Sequence, residues 1–206
     1  MKYICVVGLK GAGKDTFSDI LASILKTANV VVRCEALATP IKEMLQSMFG
    51  VSDEYFCNPV LKELPCDLMR GVTPRRAMQT FGTDWAQSVF GEMIWIDRLV
   101  DKTKNSDADF VIVTDIRFQH EYDYFESIGA KFVFIIRDLS SDKEREYPVM
   151  PKLFSFMRRR RCTDHVSEAG LMHNYDASRH VLIHNYGTIG DMFTEATHVA
   201  STLIAK

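Results

Sequence analysis

Apolar positions gather into five short runs separated by longer stretches with helical spacing. Residues 3 to 7 (YICVV) are uniformly apolar, partly β-branched, and stop at Gly8, as expected of a strand buried on both faces of a parallel sheet. Runs at 30 to 37 (VVVRCEAL), 110 to 114 (FVIVT), 131 to 136 (KFVFII) and 180 to 184 (HVLIH) predict four more strands. After the first run, Phe17, Ile20, Leu21, Ile24 and Leu25 recur at helical spacing. Strands alternating with helices specify βαβ crossovers, and so an α/β fold: a five-stranded, mostly parallel sheet with helices on both faces. Ligands of such a sheet bind beyond the carboxyl ends of its strands.

The stretches 53 to 73 and 138 to 170 break this periodicity. The first falls in an expected acceptor-binding insertion at about residues 50 to 105; the second, which contains Arg158 to Arg161, is expected to form a lid. A chain of 206 residues with 47% hydrophobic content makes one domain with a sizeable core and little room for another. The formal net charge of -2 gives no global attraction to nucleic acid or a membrane surface, so anion binding has to be local. An odd set of five cysteines without zinc-site spacing reads as reduced thiols. With no run near the ~20 residues of a spanning helix and no cleavage signal, the expected location is the cytoplasm.

Residues 8 to 14, GLKGAGK, carry the GxxxxGK pattern of a phosphate loop between a predicted strand and a predicted helix. Glycines let consecutive backbone N–H groups face one centre, the following helix adds its positive end, and Lys14 supplies a point charge. The chemistry implied is phosphoryl transfer from ATP. The hydroxyl that usually ligates Mg2+ directly after the lysine is replaced by Asp15, with Thr16 one residue later. Asp15 thus has three readings: metal ligand, acceptor contact, or favourable charge at a helix start.

A second constellation is TPRRAMQTFGT, residues 73 to 83. Pro74 suits the start of a helix and puts Arg75 and Arg76 in its first turn, where cations oppose the helix dipole; an anion ligand or simple solvation explains them equally. Gln79, one turn on, has the donors and acceptors to read a base edge. Phe81 and Trp95 offer rings for stacking or for a core. Asp115 ends the run VIVTD near the expected Mg2+ or attacking oxygen, with Arg117 two residues on and Glu121 at the spacing of a helical ion pair with it. Arg137 ends the fourth strand on the same rim, within reach of phosphates.

Taken in order, GLKGAGKDT, TPRRAMQTFGTDW, Trp95, VIVTDIRFQHE and HVSEAGL resemble the bacteriophage deoxynucleoside monophosphate kinases over most of the chain. The resemblance implies a P-loop nucleoside monophosphate kinase fold, ATP with Mg2+ as donor, and a deoxynucleoside monophosphate (dNMP) as acceptor. It assigns Gly11, Ala12, Gly13, Lys14, Asp15 and Thr16 to the ATP phosphates, with Asp15 and Thr16 toward the metal. Arg75, Arg76, Gln79, Gly82, Thr83 and Trp95 would take the acceptor, completed by Asp115, Arg117 and Glu121. Asn185, in HNYGT after the last strand, resembles the adenine-side loop, and HVSEAG, with His165 and Glu168, would order the flap. Lys14, Asp15, Arg76, Asp115 and Arg117 are the expected catalytic set. If the source is a phage, the location is the host cytoplasm. Rival readings are a kinase of another small acceptor or a nucleotide-dependent binding module, and a homodimer is left open.

Overall fold

The computed structural model describes residues 1–137 and 171–205. The expected lid at 138 to 170, with Arg158 to Arg161, His165 and Glu168, lies outside the described residues. Five strands form one sheet: β1 (Lys2–Val7), β2 (Val32–Glu35), β3 (Phe110–Val113), β4 (Lys131–Arg137) and β5 (Val181–Asn185). Their order is β2-β3-β1-β4-β5 and every neighbouring pair is parallel, with Ile4 opposite Ile112 and Val6 opposite Val133. The expected "mostly parallel" sheet is therefore parallel throughout.

Side chains alternate across β1. Tyr3, Cys5 and Val7 enter one core with Ile41, Ile96 and Phe125, while Ile4 and Val6 enter the other with Phe17, Leu21 and Ala196. Helices α1 (Lys14–Thr27) and α8 (Ile189–Ile204) cover the second face. The first face takes α2 (Thr39–Phe49), α6 (Ile94–Thr103) and α7 (Gln119–Ser127). With both faces covered, β1, β3 and β4 are apolar almost throughout, whereas the edge strands β2 and β5 admit Arg33, Glu35, His184 and Asn185.

Strand β2, at the sheet edge, is shorter than the predicted 30 to 37. Its continuation turns away because the amides of Leu37 and Ala38 donate to the Asp115 carboxylate, at 2.8 and 2.9 Å, instead of to a neighbouring strand.

Between α2 and α6 the chain is irregular. It forms α3 (Glu54–Cys57), single 3-10 turns at Leu61–Glu63 and Asp67–Met69, then α4 (Pro74–Gln79), which runs on as a π-helix, Thr80–Gln87, before the short α5 (Ser88–Phe90). Pi-helical turns widen the backbone spiral and are frequent at functional sites. No helix among the described residues is long and apolar enough to cross a membrane.

Candidate active site

The turn from β1 into α1 sits where strand order reverses, with β3 on one side of β1 and β4 on the other, which is where open α/β sheets bind ligands. Gly13 caps α1 at φ 97°, a left-handed conformation that side chains rarely adopt, and a Cβ there would stand 2.6 Å from Asn185 Nδ2. At Gly8 a Cβ would meet the Ile135 carbonyl at 2.6 Å. Backbone geometry thus selects both residues. Since Gly13 has no side chain to cap the helix, the N–H groups of its first turn are left open to an anion. Lys14 Nζ donates to the carbonyls of Gly8 and Leu9, at 2.8 and 3.0 Å, which holds the loop closed on its own lysine.

Gly11, Gly13, Lys14, Asp15 and Thr16 line one side of a cavity of about 350 Å³, with Arg137 and Asn185 across from them. Arg137 donates to the Gly11 carbonyl at 3.3 Å, and Asn185 donates to that of Ala12 at 2.9 Å while accepting from Gly187 N–H. Ala12 is itself buried and contributes backbone alone. Asn185 is therefore a brace between the last strand and the phosphate loop. Mg2+ takes one or two protein oxygens and finds the rest on phosphates and water, a demand that the Asp15 carboxylate and Thr16 hydroxyl can meet.

A second cavity opens on the other side of the strand ends. Gln79, Gly82, Thr83 and Gln87 line it from α4 and the π-helix, with Trp95, Glu121 and Phe118 from more distant elements. Its volume, about 90 Å³, falls short of the ~300–1,000 Å³ of an ordinary ligand pocket. A third space, about 440 Å³, runs from the phosphate loop at Lys10, Gly11, Lys14 and Asp15 to this cavity. Lys62, Arg75, Asp115 and Arg117 line both of these spaces and form the wall where they meet.

Within this wall the arginine pair separates. Thr73 caps α4 by accepting from Arg76 N–H at 3.2 Å, with Pro74 in the first turn as expected. Arg75 is half-buried and points into the wall, whereas Arg76 is exposed and lines none of the three spaces. Successive helical positions point about 100° apart, so the structure does not bring Arg76 to the site. Arg75 Nε donates to Glu63 at 2.5 Å, and Glu63 also accepts from Lys10 Nζ at 2.9 Å. Burial pushes the Glu63 carboxyl up, but its bonds to Lys10 and Arg75 outweigh this and hold it below the usual range.

Glu121 differs from its expected role as well. Arg117 precedes α7 and cannot form a helical ion pair with Glu121. The carboxylate instead accepts the backbone N–H groups of Arg117 and Phe118, at 2.6 and 3.0 Å. This is the half of a capping box that a glutamate in the first turn supplies, and Phe118 has no side-chain acceptor to return it. Burial pushes the Glu121 carboxyl up to about 7 against the lowering effect of those two bonds, and the Asp115 charge adds to the rise. Asp115 fixes a second backbone segment through Leu37 and Ala38. Trp95 is 7% exposed and donates from Nε1 to the Gly82 carbonyl at 2.8 Å, so it ties the π-helix to α6 while forming one cavity wall. Lys62, Glu63 and Gln87 were not among the expected site residues. They lie in or after a non-periodic stretch whose sequence offers no spacing to read.

Comparison with known proteins agrees with the motif resemblance. Residues 54–147 match the family model described as deoxynucleotide monophosphate kinase. A protein of Acanthamoeba polyphaga mimivirus, provisionally named deoxynucleotide monophosphate kinase, is 28% identical over 152 residues, covering 66% of this chain and 75% of that protein. The deoxynucleotide monophosphate kinase of Enterobacteria phage T4 is 37% identical over 67 residues, 31% of this chain and 27% of that protein. Among solved structures, the APS kinase of Mycobacterium tuberculosis has a TM-score of 0.51 over 98% of this chain and 96% of that one, at 14% identity, a likeness of fold alone.

Proposed function

We propose, from this kinship and the paired cavities, that the protein transfers the γ-phosphoryl group of ATP to a dNMP, giving dNDP and ADP. The observation that carries the reading is the shared wall: a phosphate-loop space and a cavity with base-reading amides meet at Arg75 and Arg117. Two phosphorylated ligands bound on either side would bring their phosphates together there.

In the reaction an oxygen of the acceptor phosphate forms the new bond to the γ-phosphorus. The bond from that phosphorus to the bridging β-oxygen breaks, and its electron pair leaves with ADP. The acceptor phosphate is ionised at neutral pH, so the protein needs no strong base and works by positioning and charge neutralisation. Lys14 and the α1 N-terminus hold the donor phosphates, with Arg137 at their outer edge. Arg75 and Arg117 hold the acceptor phosphate against its repulsion from ATP. Asp115 and Glu121 keep the two wall segments in place through their backbone bonds. Gln79, with Thr83 beside it, faces the base. Mg2+ carried in with ATP would be held by Asp15 and Thr16 and would offset charge on the transferring group. The proposed setting is the cytoplasm, where both nucleotides are found, or the host cytoplasm for a viral protein.

The test is ADP release with ATP and Mg2+ against the four dNMPs and the four ribonucleotides. Turnover with one or more dNMPs is expected. Silence across the panel from folded, ATP-binding protein would reject the acceptor and turn attention to other small phosphoryl acceptors.

A further inference from the structure

Lys62 stands out on the shared wall because of what surrounds it. It is half-buried on the 3-10 turn Leu61–Glu63 and lines both spaces. Among the described residues its ammonium has no carboxylate or hydrogen-bond partner, and the neighbouring charges that lower its pKa are those of Arg75, Lys42, Arg117 and Lys10. Burial comes first and these cations second in lowering its pKa below that of an ordinary lysine. A cation taken partly out of water among like charges costs free energy unless an anion compensates it.

The turn that carries Lys62 is itself held in place. Asn58 Oδ1 accepts the N–H groups of Val60 and Leu61, at 2.9 and 3.2 Å. The next residue, Glu63, ties the turn to Lys10 of the phosphate loop and to Arg75 of α4 at once. Lys62 is therefore fixed relative to both the donor loop and the acceptor helix, at the point where their ligands would meet.

We propose that Lys62 is a further phosphate-holding cation of this site, placed to bridge the acceptor phosphate and the incoming γ-phosphoryl group; this rests on the kinase reading above. Its anion is a phosphate of the bound nucleotides, because the neighbouring carboxylate, Glu63, is already engaged by Lys10 and Arg75. Bringing in a doubly charged phosphate relieves the repulsion among the cations, so acceptor binding and Lys62 protonation support each other.

The experiment compares the full-length wild type with Lys62→Met and Lys62→Arg, measuring kcat, both KM values, and the rise in Tm on adding dNMP without ATP. Lys62→Met is expected to raise the dNMP KM about tenfold or more and to lower kcat, with the KM for ATP within about twofold. Its Tm without ligand should equal or exceed that of the wild type, since a repelled charge is gone, while the dNMP-induced rise in Tm shrinks. Lys62→Arg should recover most of the lost activity. Wild-type kinetics in Lys62→Met, an equal loss toward ATP and dNMP, or no recovery in Lys62→Arg would overturn the assignment. If the wild type turns over no dNMP, the functional reading itself fails and takes this inference with it.

Discussion

The donor side and the acceptor side of the strand rim are built by opposite means. On the donor side, one short segment between β1 and α1 does most of the work. Gly8 is fixed by the approach of the Ile135 backbone and Gly13 by its left-handed conformation, Lys14 and the first turn of α1 follow directly, and Asn185 braces the loop from the last strand. On the acceptor side, the wall draws Lys62 from a 3-10 turn, Arg75 from α4, and Asp115 and Arg117 from the loop after β3. Asn58 holds the turn of Lys62, Glu63 ties that turn to Arg75, and Asp115 and Glu121 hold the remaining segments through backbone N–H groups. A phosphate is much the same in every nucleotide, so a rigid cradle suffices for it. An acceptor nucleoside has to be read as well as held, and the cavity of about 90 Å³ that would read it is walled by irregular segments of the chain.

The largest expected effect tests the rigid side. Lys14→Met should lower kcat by about 10²–10³-fold, since a preorganised charge on the transferring group is removed; single-turnover transfer from ATP measures it. Gly13→Ala should do comparable damage by another route, because it demands a left-handed alanine and a 2.6 Å approach to Asn185. Loss of ATP binding with a lowered Tm is the expected signature.

The arginine pair sharpens the acceptor side. Arg75→Ala should raise the dNMP KM and lower kcat/KM by about 10²-fold, as expected when a charge-assisted phosphate contact is lost. Arg76→Ala should change either constant less than about twofold. Equal effects from the two substitutions would mean that α4 is rotated from the orientation described.

Glu121 gives the smallest effect on turnover but the clearest one on stability. Its folded-state pKa of about 7 lies above the 4.5 of a free glutamate, so folding favours the protonated form. The stability this contributes is complete below pH 4.5 and is lost as pH rises through about 7. The full amount is on the order of 3 kcal/mol. Glu121→Gln keeps an acceptor for both backbone N–H groups and has no proton to lose. Melting curves from pH 5 to 8 should show a decline in the wild type that the glutamine variant lacks.

This contrast also governs what can be read from the sequence. Five apolar runs located all five strands to within two residues at either end; burial on both faces keeps β1, β3 and β4 almost wholly apolar, and the edge strands β2 and β5, with polar residues among them, keep enough of the pattern to be found. The phosphate loop was legible since its geometry excludes side chains at fixed positions. Arg75 and Arg76 were equivalent in the sequence, because a helix of six residues after an irregular stretch has no stripe to set its rotational phase. Glu121 was paired with the right residue through the wrong group: it holds the Arg117 backbone N–H and not the guanidinium, as its spacing to Arg117 suggested a helix that begins only at Gln119. Lys62 and Glu63 were invisible. Their importance comes from two cavities and a phosphate loop that tertiary folding brings to them, and no local pattern records that.

In the proposed reaction the two sides pass one phosphoryl group across the shared wall. The most direct measurement uses ATP radiolabelled in its γ-phosphate, incubated with Mg2+ and a dNMP, followed by chromatographic separation of the products. Label recovered in dNDP, in proportion to ADP formed and strongly reduced by Arg75→Ala, is the predicted result. Label appearing only as inorganic phosphate, at a rate indifferent to the dNMP, would show that ATP is hydrolysed without an acceptor and would rule out transfer to a dNMP.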